Sequence, residues 1–101
     1  MFDTTNLTRL KQLDETVPDG MKSFWDFINA AFADGALTGQ QKQLIAVAVA
    51  LTTQCPYSID FHTKAAREAG ASDAQLSEAA LVAAAIRADG AVTHATHMFR
   101  G

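Results

Sequence analysis

The chain has 101 residues, 49% of them hydrophobic, which suits one compact domain with a thin core and a high surface-to-volume ratio. A formal charge of −3, a pI near 5.4 and eight scattered Lys and Arg give no electrostatic basis for holding a phosphate backbone, which excludes nucleic acid as a partner. No basic segment followed by an apolar stretch opens the chain, and the apolar run from Leu44 to Leu51 is too short to span a bilayer. The expectation is a soluble, cytoplasmic protein with no membrane partner.

In chain order, Leu7, Leu10 and Leu13 recur at a spacing of three behind Thr4 and Thr5 as caps, and predict a short helix over 4–16 that Pro18 and Gly20 end. Phe24, Phe27, Ile28, Ala31 and Phe32 follow the i, i+3, i+4, i+7, i+8 pattern of a helix with one apolar face, from Met21 to about Ala33, stopped by Asp34-Gly35. Thr38 and Gln41 form a capping-box pair ahead of Leu44 to Leu51, a helix apolar nearly all round and expected at the buried centre of the fold. Pro56 suits the first position of the next helix, to about Glu68, and makes Cys55 its N-cap. Ser72 and Gln75 repeat the capping box before Leu76, Ala79, Ala80, Ala83 and Ile86, an alanine-rich helix expected to end at Gly90. Ala91 to Phe99 reads as a further short helix with His94 and His97 on one side. Nothing reads as a hairpin, a linker or a repeat, so residues 1–101 are expected to form a single all-α domain.

The chemistry concentrates in Cys55-Pro56-Tyr57-Ser58-Ile59-Asp60-Phe61-His62. The unpaired N–H groups of a first helical turn point at an N-cap sulfur, and together with the positive end of the helix dipole they favour a thiolate. Cys55, Ser58 and His62, at i, i+3 and i+7, project from one side, so a nucleophile, a hydroxyl and a base share a stripe. The single cysteine rules out an internal disulfide and leaves packing, reactivity or an intermolecular bridge; its place at a helix start favours a functional thiol over a packed one. His62 is read as a base rather than a core histidine. Ser58 lacks an assignable orienting carboxylate, so its role is a hydrogen bond within the pocket. His94 and His97 are too few for a metal site, which needs three or four ligands, and no metal or cofactor is expected. Trp25 and Tyr57 are read as pocket lining with free polar tips; Lys64, Arg67 and Glu68 make a solvated face.

The runs Lys42 to Ala50, Cys55 to Ala66, Gly70-Ala71 and Ala91-Val92-Thr93-His94 resemble the carboxymuconolactone decarboxylase superfamily, with the nearest likeness to the AhpD-like alkylhydroperoxidase core. The resemblance covers roughly residues 20–100, and its Cys-Pro-Tyr-x-Ile-Asp-x-His-Thr segment is the specific part. It implies an AhpD-like helical bundle, oligomeric through packed helices as a trimer or hexamer. Peroxidase members of this family carry a glutamate, then Cys-x-x-Cys, then a histidine. Laid on this chain, the pattern puts Gln43 at the glutamate, Cys55 at the first cysteine, Ser58 at the second and His62 at the histidine. The second cysteine is the attacking one in those peroxidases. A serine hydroxyl cannot enter the sulfenic-acid ladder, so two-cysteine turnover within one chain is excluded, and Gln43 can hold a hydrogen bond without exchanging a proton.

The expectation is therefore an AhpD-like, peroxidase-related antioxidant protein that uses Cys55 as its one redox thiol, tuned by His62, with activity reduced or altered by Ser58 and Gln43. Peroxide or another small molecule would be its substrate, and an external thiol or a redox protein its reducing partner. Two other readings stand beside it: an acid–base enzyme of the lactone decarboxylase type working through His62 and His94, and a non-catalytic oligomeric binding protein.

Overall fold

The computed structural model describes residues 2–99, and the residues described contain helices and turns without a strand. A 3-10 helix, Thr4–Arg9, leads into α1 (Leu10–Thr16), followed by α2 (Pro18–Phe32), α3 (Gly39–Thr53), α4 (Pro56–Glu68), α5 (Asp73–Ala95) and a closing 3-10 turn, Thr96–Phe99. The first expected helix is thus two pieces, a 3-10 helix that carries Leu7 and α1 that carries Leu10 and Leu13.

Two expected boundaries are corrected. Pro18 opens α2 instead of ending the helix before it, because a proline at the first helical position loses no hydrogen bond; Val17, at φ −133°, ψ 67°, makes the break. Gly90 does not end α5, which runs on to Ala95. A glycine stops a helix when it takes positive φ, and among the described glycines only Gly70 does so. The expected helix over 91–99 is consequently the last turn of α5 plus the 3-10 turn.

Both capping boxes are formed: the Thr38 side chain accepts from the Gln41 N–H and the Ser72 side chain from the Gln75 N–H, with each glutamine returning a bond to its cap residue's N–H. At the end of α4, Gly70 takes φ +94°, its N–H donates to the Arg67 carbonyl and the Ala71 N–H to Ala66, which closes the helix as a Schellman motif. Gln40 of α3 donates to the Ala69 carbonyl at 2.9 Å and accepts from Gln75 at 3.2 Å, tying the ends of three helices together.

α3 packs against both α4 and α5. Among the described residues the buried ones are Val47 and Ala50 of α3, Ala66 of α4, Ala71 in the connection between α4 and α5, and Ala83 of α5, a core of small side chains that lets the helices approach closely. α3 is central, yet only one of its faces is covered within the chain: Ile45 and Val49 remain about half exposed, against the expectation that the whole helix is buried. Among the described residues no helix is long and apolar enough to cross a membrane.

Candidate functional site

The thiol is positioned by the end of α3. Gln54 takes the left-handed conformation, φ 56°, and reverses the chain, and the Cys55 N–H then donates to the carbonyl of buried Ala50 at 3.1 Å. Arg87 of α5 holds the Thr52 carbonyl from the other side. Cys55 so fixed is the N-cap of α4 with Pro56 at the first helical position, as expected. The protonated sulfur is a weak acceptor and closes no cap hydrogen bond on the helix. The thiolate is a strong one: the Ser58 hydroxyl and then the Ser58 N–H hold the Cys55 pKa below its ordinary value, desolvation opposes them, and the Tyr57 N–H adds to the lowering.

His62 projects from α4 toward α3, where its Nδ1 lies 2.8 Å from Oε1 of Gln43. With Nδ1–H donating to that amide oxygen, Nε2 keeps its lone pair and the ring is the tautomer that can take a proton. Phe32 of α2 stacks on the imidazole at 5.2 Å and 13° between planes, while Phe61 meets it edge-on at 5.1 Å. These rings remove water, and burial lowers the His62 pKa, favouring the neutral base. A carboxylate at position 43 would counter that shift; the amide carries no charge to do so.

The four expected site residues therefore fall into two pairs, Cys55 with Ser58 and His62 with Gln43. Among the described residues no hydrogen bond joins one pair to the other. A shallow cavity of about 500 Å³ lined by Phe32, Gln40, Gln43 and Ala65 lies beside the second pair, and Cys55 is not on its wall.

Two expectations about aromatic tips are corrected. The Tyr57 hydroxyl is engaged, accepting from the Asp3 N–H at 3.3 Å and from Asn6 Nδ2 at 2.9 Å, with Phe2 edge-on to its ring at 4.9 Å. Trp25 Nε1 donates to Asp14 at 2.7 Å and ties α2 to α1. Sequence reasoning missed Phe32 as a wall of the histidine; nothing local marks a residue on α2 as the neighbour of one on α4. His94 and His97 do face each other, rings 5.4 Å apart, with His94 Nδ1 at 2.9 Å from the Gly90 carbonyl.

A helical domain with a cysteine capping one helix and a histidine of that helix held by a polar residue of the one before it defines a class of small thiol- and histidine-bearing helical proteins. The chain belongs to the carboxymuconolactone decarboxylase family, whose family pattern matches residues 18–100. It is 52% identical over 73 residues to uncharacterized protein 4 in the cox locus of Paracoccus denitrificans, covering 72% of this chain and 66% of that protein. An uncharacterized protein of Cupriavidus necator is 36% identical over 78 residues, covering 73% of this chain and 69% of its own length. The chain thus spans about two thirds of the length of these relatives. Among solved structures, the apo form of a carboxymuconolactone decarboxylase family protein from Legionella pneumophila superposes with a TM-score of 0.79 at 33% identity, covering 82% of this chain and 75% of that one. A protein from Methanobacterium thermoautotrophicum gives 0.80 at 40% identity, with 85% and 97% covered.

Proposed function

We propose that the chain is a one-cysteine, AhpD-like thiol oxidoreductase that reduces small hydroperoxides. The observation that carries this reading is Cys55 at the start of α4, with the Ser58 hydroxyl and N–H favouring its thiolate. The thiolate attacks the terminal peroxide oxygen; the sulfur–oxygen bond forms, the oxygen–oxygen bond breaks, and the leaving alkoxide takes up a proton to give an alcohol and a sulfenic acid on Cys55. An external thiol then displaces water from the sulfenic acid to form a mixed disulfide, and a second external thiol releases Cys55 reduced. Ser58 donates to the sulfur and cannot resolve it, so the reductant comes from outside the chain. Neutral His62 is the local base, able to receive the thiol proton through solvent.

The test is single-turnover oxidation by an alkyl hydroperoxide, followed by reduction with a dithiol. Wild type is expected to react faster than an unstructured thiol at neutral pH, Cys55→Ala to be inert, and His62→Ala to be slower. Equal rates for wild type and His62→Ala remove the histidine from the mechanism, and a wild-type rate no faster than free cysteine removes the peroxidase.

A second reading rests on the Gln43–His62 pair. A neutral imidazole of fixed tautomer between two aromatic rings suits proton transfer on a lactone or related carbon acid, and needs no thiol. Turnover that survives alkylation of Cys55 selects it.

A further inference from the structure

The first turn of α4 is held from outside its own helix. α3 and α5 open on capping boxes, whereas Cys55 closes no side-chain bond on α4, so the usual device that fixes a helix start is missing at the turn that carries the thiol. Residues 2–9 take its place. Their 3-10 helix packs against α4, and three groups converge on one side chain: Phe2 meets the Tyr57 ring edge-on at 4.9 Å, and the Tyr57 hydroxyl accepts from the Asp3 N–H at 3.3 Å and from Asn6 Nδ2 at 2.9 Å. The segment is itself braced to present them. Arg9, which can only donate, holds Asn6 Oδ1 at 3.0 Å and so turns Nδ2 toward the hydroxyl. The Asp3 carboxylate accepts from the Thr5 N–H at 3.0 Å, and the Asp3 carbonyl accepts from the Asn6 N–H at 2.9 Å.

Tyr57 stands between Cys55 and Ser58 in that turn, and its N–H joins the Ser58 donors in favouring the thiolate. Those N–H groups serve the sulfur only while the turn keeps its helical geometry, and a helix end without a cap frays. Pinning Tyr57 opposes the fraying. None of the contacts above reaches Cys55, which stays half-exposed, so the segment acts on the turn and does not shut off the sulfur. Residues 2–9 also lie outside residues 18–100, which the family pattern matches, so the device is not part of that pattern. We infer that residues 2–9 form a strap that pins Tyr57 and so holds the first turn of α4 in the geometry in which its N–H groups meet the Cys55 sulfur, which makes Phe2, Asn6 and Tyr57 positioning residues for the thiol. The inference rests on the thiol reading given above. By linkage the effect runs both ways: a docked strap favours the thiolate, and the thiolate favours a docked strap.

The test compares wild type with the double variant Phe2→Ala/Asn6→Ala in two measurements on the full chain, amide hydrogen exchange by NMR and alkylation of Cys55 by a neutral probe across pH. The Ile59 N–H donates to the Cys55 carbonyl at 3.0 Å and so reports opening of the first turn, while the Ala69 N–H, bonded to the Ala65 carbonyl at 3.0 Å, reports the far end of α4. In the double variant Ile59 is expected to exchange about tenfold faster with Ala69 unchanged, and the alkylation inflection to move to higher pH. Tyr57→Phe keeps the ring against Phe2 and removes the acceptor of both hydrogen bonds; it should move both readouts the same way by less, and it decides the matter if the double variant fails to fold. Neither readout uses a peroxide, so a chain that fails to turn over hydroperoxide still gives a result here. Unchanged exchange at Ile59, equal acceleration at Ala69, or faster exchange at Ile59 with an unmoved alkylation profile overturns the strap.

Discussion

Ser58 stands where a second sulfur would complete a Cys-x-x-Cys pair, and its hydroxyl is the largest influence holding the Cys55 thiol below its usual range. Ser58→Ala removes that donor while leaving the backbone N–H, so the alkylation profile of Cys55 is expected to move to higher pH. An unmoved profile would show that the backbone alone sets the thiol. At the second pair, Gln43→Glu puts a negative charge within hydrogen-bond reach of His62 Nδ1, and the imidazole pKa should rise above its wild-type value, read by NMR titration. His62 also gives stability a pH dependence of definite sign. Its folded pKa is lowered by burial, so the unfolded chain binds the proton more readily. Stability is then full above the unfolded value of 6.5 and is lost as pH falls through the lower folded value. Urea midpoints should therefore fall more between pH 7.5 and pH 5 in wild type than in His62→Gln, which has no imidazole to charge.

At the scale of the helices, the local signals were the legible ones. Thr38-Gln41 and Ser72-Gln75 are capping boxes on sight and in space, and Thr38→Ala or Ser72→Ala should each cost about 1 kcal/mol in chemical denaturation. Gly70→Ala forces a side chain into positive φ, with a loss of about 1–2 kcal/mol expected. Its Cβ would also stand 3.3 Å from Gln40 Nε2, which must yield. The signals that misled were glycines and prolines, whose meaning depends on φ and on the side of the boundary they occupy. Pro18 reads equally as a stop for one helix or a start for the next, and Gly90 stays helical because α5 continues around it. The pairings within the site divide the same way. Cys55 and Ser58 share a helical turn, so their proximity follows from spacing, whereas Phe32 on His62 and Asn6 on Tyr57 depend on how separate elements dock.

For the whole molecule, the all-helical fold and the family could be read from hydrophobic periodicity and the Cys55–Thr63 segment, while its distribution of surface could not. Composition shows that apolar residues are plentiful; only the packed chain shows that, among the described residues, the buried core is five small side chains and that Leu81, Ile86 and Val92 lie outside it. The Asp3 and Asn6 contacts to Tyr57 likewise bring the N-terminal segment, which lies outside the family match, onto the first turn of α4. The thiol oxidoreductase reading nonetheless turns on one group, the Cys55 sulfur. The pH dependence of its alkylation by a neutral probe, on the intact protein, measures that group alone. An inflection below that of an unstructured cysteine, shifted upward in Ser58→Ala, is the result expected of a working thiol at a helix start. An inflection at or above the free-cysteine value, indifferent to Ser58, would contradict it and leave Cys55 as packing.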